Sequence, residues 1–132
     1  MVCQTRIQAR QIRDNAQRTP LERMDIGMLG TLTNRQKDTP ITVRLRTPYS
    51  GACPVSGYPL AGSWIEVQYK PADVILELSA IAQHLPTYAD EARDVETIVQ
   101  LLARDCAAAL GVPVTINAYY ILRDGIELWC QS

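Results

Sequence analysis

Residues 95–130 read VETIVQLLARDCAAALGVPVTINAYYILRDGIELWC, and the fold turns on this stretch. Val95, Ile98, Val99, Leu102 and Cys106 recur at the spacing of one helical face, and Gly111 is the residue expected to close the helix. The period then changes from 3.6 to 2. Val112, Val114, Ile116, Ala118 and Tyr120 alternate with more polar neighbours, which predicts a long half-buried strand. Asp124-Gly125 is the dipeptide of a tight hairpin, and Ile126, Leu128 and Cys130 are its returning arm.

Upstream the same two periods recur. Ile41, Val43 and Leu45 alternate with Thr42, Arg44 and Arg46, and Trp64 to Tyr69 sets Ile65, Val67 and Tyr69 opposite Trp64, Glu66 and Gln68. Both are expected as strands. Lys70-Pro71 ends the second, and residues 74–84 are expected as a short helix before Pro86. Residues 25–39 carry Gly27 and Gly30 and read as a connection. Residues 4–18 read as a helix ended by Thr19-Pro20, with Arg6, Arg10 and Arg13 on one face. The reading is an α+β chain: a basic arm over 1–38, then two strands, two helices and two strands over 39–132. A four-stranded antiparallel sheet with helices on one face leaves two open edges, and edges invite pairing with further copies. A homo-oligomer that closes a barrel would remove them.

The chain has 132 residues and is 47% hydrophobic, enough for one domain with a real core. No segment approaches the length of a membrane span, and Met1 to Asn15 lacks the apolar run of a signal peptide. The four cysteines, at 3, 53, 106 and 130, form no CxxC pair and are expected as free thiols of a reducing, cytoplasmic compartment. His84 is the only histidine and stands near no clustered thiols, so no metal site is expected. The net charge of −1 is unevenly spread: residues 1–46 hold nine Lys/Arg against four Asp/Glu, and residues 47–132 hold four against ten. A basic arm of this kind meets a nucleic acid or the acidic face of another subunit; the other reading is a solvated segment.

Between the first two strands lies Cys53-Pro54-Val55-Ser56-Gly57-Tyr58-Pro59. A proline and a glycine turn beside a thiol suit a nucleophile, whose sulfur must be held at a chain reversal that a substrate reaches. A plain surface turn is the competing reading.

The set of motifs resembles the 7-cyano-7-deazaguanine reductases (QueF) of the tunnelling fold. The family pattern Cys-Pro-x-Thr-Gly-Gln-Pro-Asp stands here as Cys53-Pro54-Val55-Ser56-Gly57-Tyr58-Pro59-Leu60. A strand ending in Tyr69-Lys70-Pro71 follows, then an acid at Glu77, and Val95-Glu96 stands where the family has His-Glu at the start of its long helix. The resemblance implies that Cys53 adds to a nitrile carbon to give a thioimide. It implies that Glu96 accepts from the N–H edge of a flat heterocycle, and that Glu77, with Ser79, assists recognition between subunits. Such roles fit the chemistry, since a nitrile wants a soft nucleophile and a guanine-like edge offers adjacent donors to a carboxylate. Ordinary helix-surface roles are the alternative for both glutamates.

Two departures shape the expectation. Leu60 replaces the family's acid, and Glu77-Leu78-Ser79-Ala80-Ile81-Ala82 lacks the lysines that meet a nicotinamide cofactor's phosphates. No cofactor is therefore expected. The QueF-like amidinotransferases share that loss, and add ammonia to the thioimide of a base in tRNA to form archaeosine. The leading expectation is such an enzyme, acting on 7-cyano-7-deazaguanine free or in nucleic acid, with Arg6, Arg10 and Arg13 on the polynucleotide. The alternatives are an impaired 7-deazaguanine-binding protein of the same fold, a GTP cyclohydrolase of type IB, and an NADPH-dependent nitrile reductase of queuosine biosynthesis.

Overall fold

The computed structural model describes residues 29–53, 55–91 and 94–132. The expected helix over 4–18, with Arg6, Arg10 and Arg13, lies outside the described residues. Strand β1 (Thr31–Thr33) is followed by β2 (Val43–Pro48), β3 (Trp64–Tyr69), β4 (Val74–Leu76), helix α1 (Ala80–His84) and a 3-10 helix (Leu85–Glu91). Helix α2 (Val95–Leu110), β5 (Val114–Ile121), a 3-10 turn (Arg123–Gly125) and β6 (Glu127–Gln131) complete the chain. Four strands form one antiparallel sheet in the order β2-β3-β5-β6, and β1 pairs with β4 in a separate ribbon. The chain is thus α+β, and among the described residues β2 and β6 are the open edges of the sheet. Among the described residues no helix is long and apolar enough to cross a membrane.

The registers divide the sheet into two faces. Leu45↔Val67↔Ile116 form one row and Ile65↔Ala118↔Cys130 the next, all on the side that α2 covers. Val95, Ile98, Val99, Leu102, Cys106 and Leu110 are the buried stripe of α2. Ile65, Val67, Ile98, Leu102, Cys106, Ile116 and Tyr120 are completely buried in this core, so the contact between α2 and the two central strands is its centre. Helix α2 ends as its sequence predicts: Gly111 has φ 67°, and its N–H donates to the Ala107 carbonyl at 2.9 Å. The Asp124-Gly125 turn also forms, with φ of 60° and 71° at its two central residues.

Two local expectations are corrected. Residues 25–39 are not a plain connection over their described part, because Thr31–Thr33 is a strand whose partner is Val74–Leu76. Residues 74–84 are not one helix: they open with β4 and only Ala80–His84 is helical. The physical reason is the same in both places. Three exposed residues have no periodicity of their own, and their ladder is supplied by a partner distant in sequence. Val43–Pro48 also begins and ends two residues later than the sequence alternation indicates.

Gly62 illustrates how tightly the β2–β3 connection is set. Its φ is +96°, and an added Cβ would lie 2.8 Å from Ile121 Cδ1. The methyl end of an isoleucine can yield, but the backbone conformation cannot be made favourable for an L side chain. Gly62→Ala is expected to lower unfolding stability by about 1–2 kcal/mol, read from chemical denaturation; an unchanged midpoint would show that the loop relaxes freely.

Candidate functional site

The Cys53 bend is closed by its own backbone. Cys53 N–H donates to the Tyr58 carbonyl at 3.1 Å, Gly57 N–H to the Cys53 carbonyl at 2.7 Å, and Gly51 N–H to the Pro59 carbonyl at 2.7 Å. The expected bend is therefore present. Its thiol side is not open as the sequence reading has it: Cys53 is only 5% exposed within one chain. The bend rests against the β5–β6 hairpin, with Leu60 N–H donating to Ile121 O at 2.8 Å and Arg123 N–H to the Tyr58 hydroxyl at 3.4 Å.

Tyr49, just before the bend, packs its ring 6.2 Å from that of Tyr120. The Tyr120 hydroxyl donates to the Val95 carbonyl at 3.2 Å, which fixes the first turn of α2 at this end of the sheet. Glu96 stands in that turn and is exposed. Burial, and then the Glu96 charge, pushes the Cys130 thiol up. Cys53 and Glu96 thus belong to the same end of the sheet, linked through Tyr49 and Tyr120.

Glu77 and Ser79 lie elsewhere. Glu77 N–H donates to Gly30 O at 3.0 Å, and its Oε2 accepts from Ser79 N–H at 3.1 Å and from the Ser79 hydroxyl at 2.5 Å. Gln83 Nε2 donates in turn to Ser79 Oγ at 3.1 Å. The preceding residue, Leu76, is tied by its N–H to the Tyr69 hydroxyl at 2.8 Å, and Tyr69 ends β3 away from the Cys53 bend. The glutamate and serine therefore organise the start of α1 in this chain. Within one subunit they are not gathered with Cys53 and Glu96.

Two polar clusters were not singled out by sequence reasoning. His84, 5% exposed, has Nε2 2.9 Å from the Tyr88 hydroxyl and 3.0 Å from Asp105 Oδ2, and the Tyr88 hydroxyl donates to the same carboxylate oxygen. Burial raises Asp105, but the hydrogen bonds from Tyr88 and His84 and the Arg104 guanidinium outweigh it and hold the carboxyl below its usual range. These groups pin α1 and the 3-10 helix onto α2. The spacing His84-x-x-x-Tyr88 was the available signal; its partner Asp105 is remote in sequence.

The second cluster surrounds Glu66 on the face of the sheet away from α2. Glu66 is 3% exposed. Its Oε1 accepts from Arg44 Nε at 3.2 Å, Arg44 Nη2 at 3.2 Å and Asn117 Nδ2 at 3.4 Å. Its Oε2 accepts from Arg46 Nε at 3.2 Å, Arg46 Nη2 at 3.0 Å and Arg44 Nη2 at 3.4 Å. Burial pushes Glu66 up, but the Arg46 and Arg44 hydrogen bonds and charges together bring it below the usual carboxylate range. Among the described residues, no group of three or more His, Cys, Asp and Glu is placed to hold a metal ion.

Neither a scan against protein-family models nor a search of curated proteins finds a match to this chain.

Two outcomes follow from these environments. Cys106 is completely buried and its thiol is pushed up to about 12, chiefly by burial, so it is expected to resist alkylation in the native protein. Cys130, half-buried, is expected to react first of the two, and peptide mapping after a timed iodoacetamide pulse reads the order. The carboxyls of Glu66 and Asp105 sit below their unfolded values, so their stabilisation is complete above the ordinary carboxylate range and is lost as pH falls from that range through the lower folded values. Melting temperature is expected to drop on acidification from about pH 5 to about pH 3, and Glu66→Gln to flatten part of that slope. An identical slope in the variant would remove Glu66 from the account.

Proposed function

We propose that the chain is a subunit of a tunnelling-fold enzyme that binds a nitrile-bearing 7-deazaguanine and attacks it through Cys53. One observation carries the reading. The Cys53 bend and the acid-bearing first turn of α2 converge on one end of a sheet that runs strand pair, helix pair, strand pair. The Cys53 thiolate would add to the nitrile carbon, and the nitrogen would take up a proton to give a thioimide. Ammonia would then add to that carbon and the thiolate would leave, so the product is an amidine and Cys53 is regenerated.

Glu96 is exposed and available to accept from the N–H edge of the ring. Glu77 and Ser79 would join it only across a subunit boundary, which the open edges of β2 and β6 favour. Homo-oligomerisation is part of the proposal for that reason. A base held in nucleic acid would draw on Arg6, Arg10 and Arg13, three of the cations of the basic arm.

A second reading has its own support. Cys53 is enclosed and Leu60 offers no proton, so a protein that holds the base without converting it fits the same residues. Intact mass spectrometry after mixing with 7-cyano-7-deazaguanine separates the two. The enzyme reading expects one ligand mass added to the wild type, none on Cys53→Ala, and amidine released when ammonia is supplied. Saturable binding by calorimetry without a mass increase would select the binding protein, and absence of both would end the proposal.

A further inference from the structure

The chain has two tryptophans, and both stand on the sheet face away from α2. Trp64, Tyr119 and Trp129 form one row across β3, β5 and β6. Their rings are in contact: Tyr119 and Trp129 have centroids 4.5 Å apart, and Trp64 meets Trp129 edge-on at 5.9 Å. Trp129 is 64% exposed, an unusual place for so large an apolar surface. The adjacent row is Arg46, Glu66, Asn117 and Gln131, with Arg44 one step further along β2. Arg46 joins the two rows, its guanidinium carbon lying 3.7 Å from the Trp64 ring centroid. Arg44, Arg46, Trp64, Glu66, Asn117 and Trp129 are among the residues that line an open concavity of about 760 Å³, within the range of small-molecule sites.

Donor and acceptor counts decide which ligand charge fits. A carboxylate has about four lone-pair positions, and Glu66 already accepts from Arg44, Arg46 and Asn117 on both oxygens. It has little left to offer a cation. Each guanidinium has five N–H donors, and Nη1 of neither arginine is among the donors to Glu66. Both arginines reach solvent, with side chains 61% and 50% exposed. Two guanidiniums against the Glu66 carboxylate leave one net positive charge at the arginine end of the face, while the exposed Glu127 carboxylate, which accepts from the Tyr119 hydroxyl at 2.8 Å, stands at the far end of the aromatic row. The guanidinium pair is held in place from below by Glu66, so little ordering is needed when an anion arrives.

We propose that this concavity binds a phosphomonoester of a planar heterocycle, in the simplest case a mononucleotide. Arg44 and Arg46 take the phosphate, and the Trp129 ring stacks the base. The site is on the sheet face away from α2, and the proposal does not depend on the nitrile chemistry.

Because both tryptophans lie here, their emission reports occupancy directly. The full chain is titrated at constant ionic strength with guanosine monophosphate, guanosine and inorganic phosphate, exciting at the red edge of tryptophan absorption. The mononucleotide is expected to quench saturably, while guanosine and phosphate each bind about tenfold more weakly or worse. Calorimetry should show about tenfold weaker nucleotide binding for Trp129→Ala. The triple variant Arg44→Gln/Glu66→Gln/Arg46→Gln, which leaves no unpaired buried charge, should show a loss of similar size. No saturable quench, equal binding of guanosine and its monophosphate, or unaltered binding in Trp129→Ala would each overturn the proposal. Should the triple variant not fold, the exposed Trp129 position and the ligand comparison decide alone.

Discussion

The seat of α2 on the central strands is the constraint from which the other features follow. Burying an apolar side chain fully is worth about 1.5–3 kcal/mol, and Ile98, Leu102 and Cys106 share one core with Ile65, Val67 and Ile116, none with exposed surface remaining. A one-residue slip of β3 or β5 would exchange these side chains for Glu66 and Asn117. The registers of the sheet are therefore enforced by the helix. Once they are fixed, the chemistry of the opposite face is fixed as well, because every residue between two core positions must point there.

That opposite face carries a buried carboxylate. An isolated charge removed from water to this extent would be neutralised or would destabilise the fold. Glu66 escapes this because β2 presents Arg46 directly opposite it and Arg44 two residues along on the same face, and Asn117 approaches from β5. The arginines remain wet while the carboxylate is enclosed. Such an arrangement orders the guanidiniums more than it strengthens the domain, since exposed ends of ion pairs contribute little stability.

At the end of the sheet, Tyr120 performs a different task. Its ring is wholly buried, and its hydroxyl reaches the Val95 carbonyl, which joins β5 to the entry of α2. Burial raises this tyrosine, so the hydroxyl remains a donor at any pH the protein meets. The same ring packs against Tyr49 ahead of the Cys53 bend. One side chain thereby joins the segment ahead of the bend to the entry of α2. The bend itself is held by its own backbone hydrogen bonds.

Local pattern alone determined the long helix with its Gly111 stop, the strand over Trp64–Tyr69, the hairpin at Asp124-Gly125 and the Cys53 bend, because each is written in a short-range period or a turn dipeptide. It also assigned Arg44, Arg46, Trp64 and Glu66 to the polar side of their strands. The pairing of Thr31–Thr33 with Val74–Leu76 could not be read there, since neither segment carries a periodic signal and each takes its ladder from the other. Nor could the meeting of Asp105 with His84 and Tyr88, or of Asn117 with Glu66 and the two arginines. Residues tens of positions apart are joined only when strands choose a register and helices a seat. That choice is made by burial of the whole core, a sum over many contacts that no stretch of the chain contains.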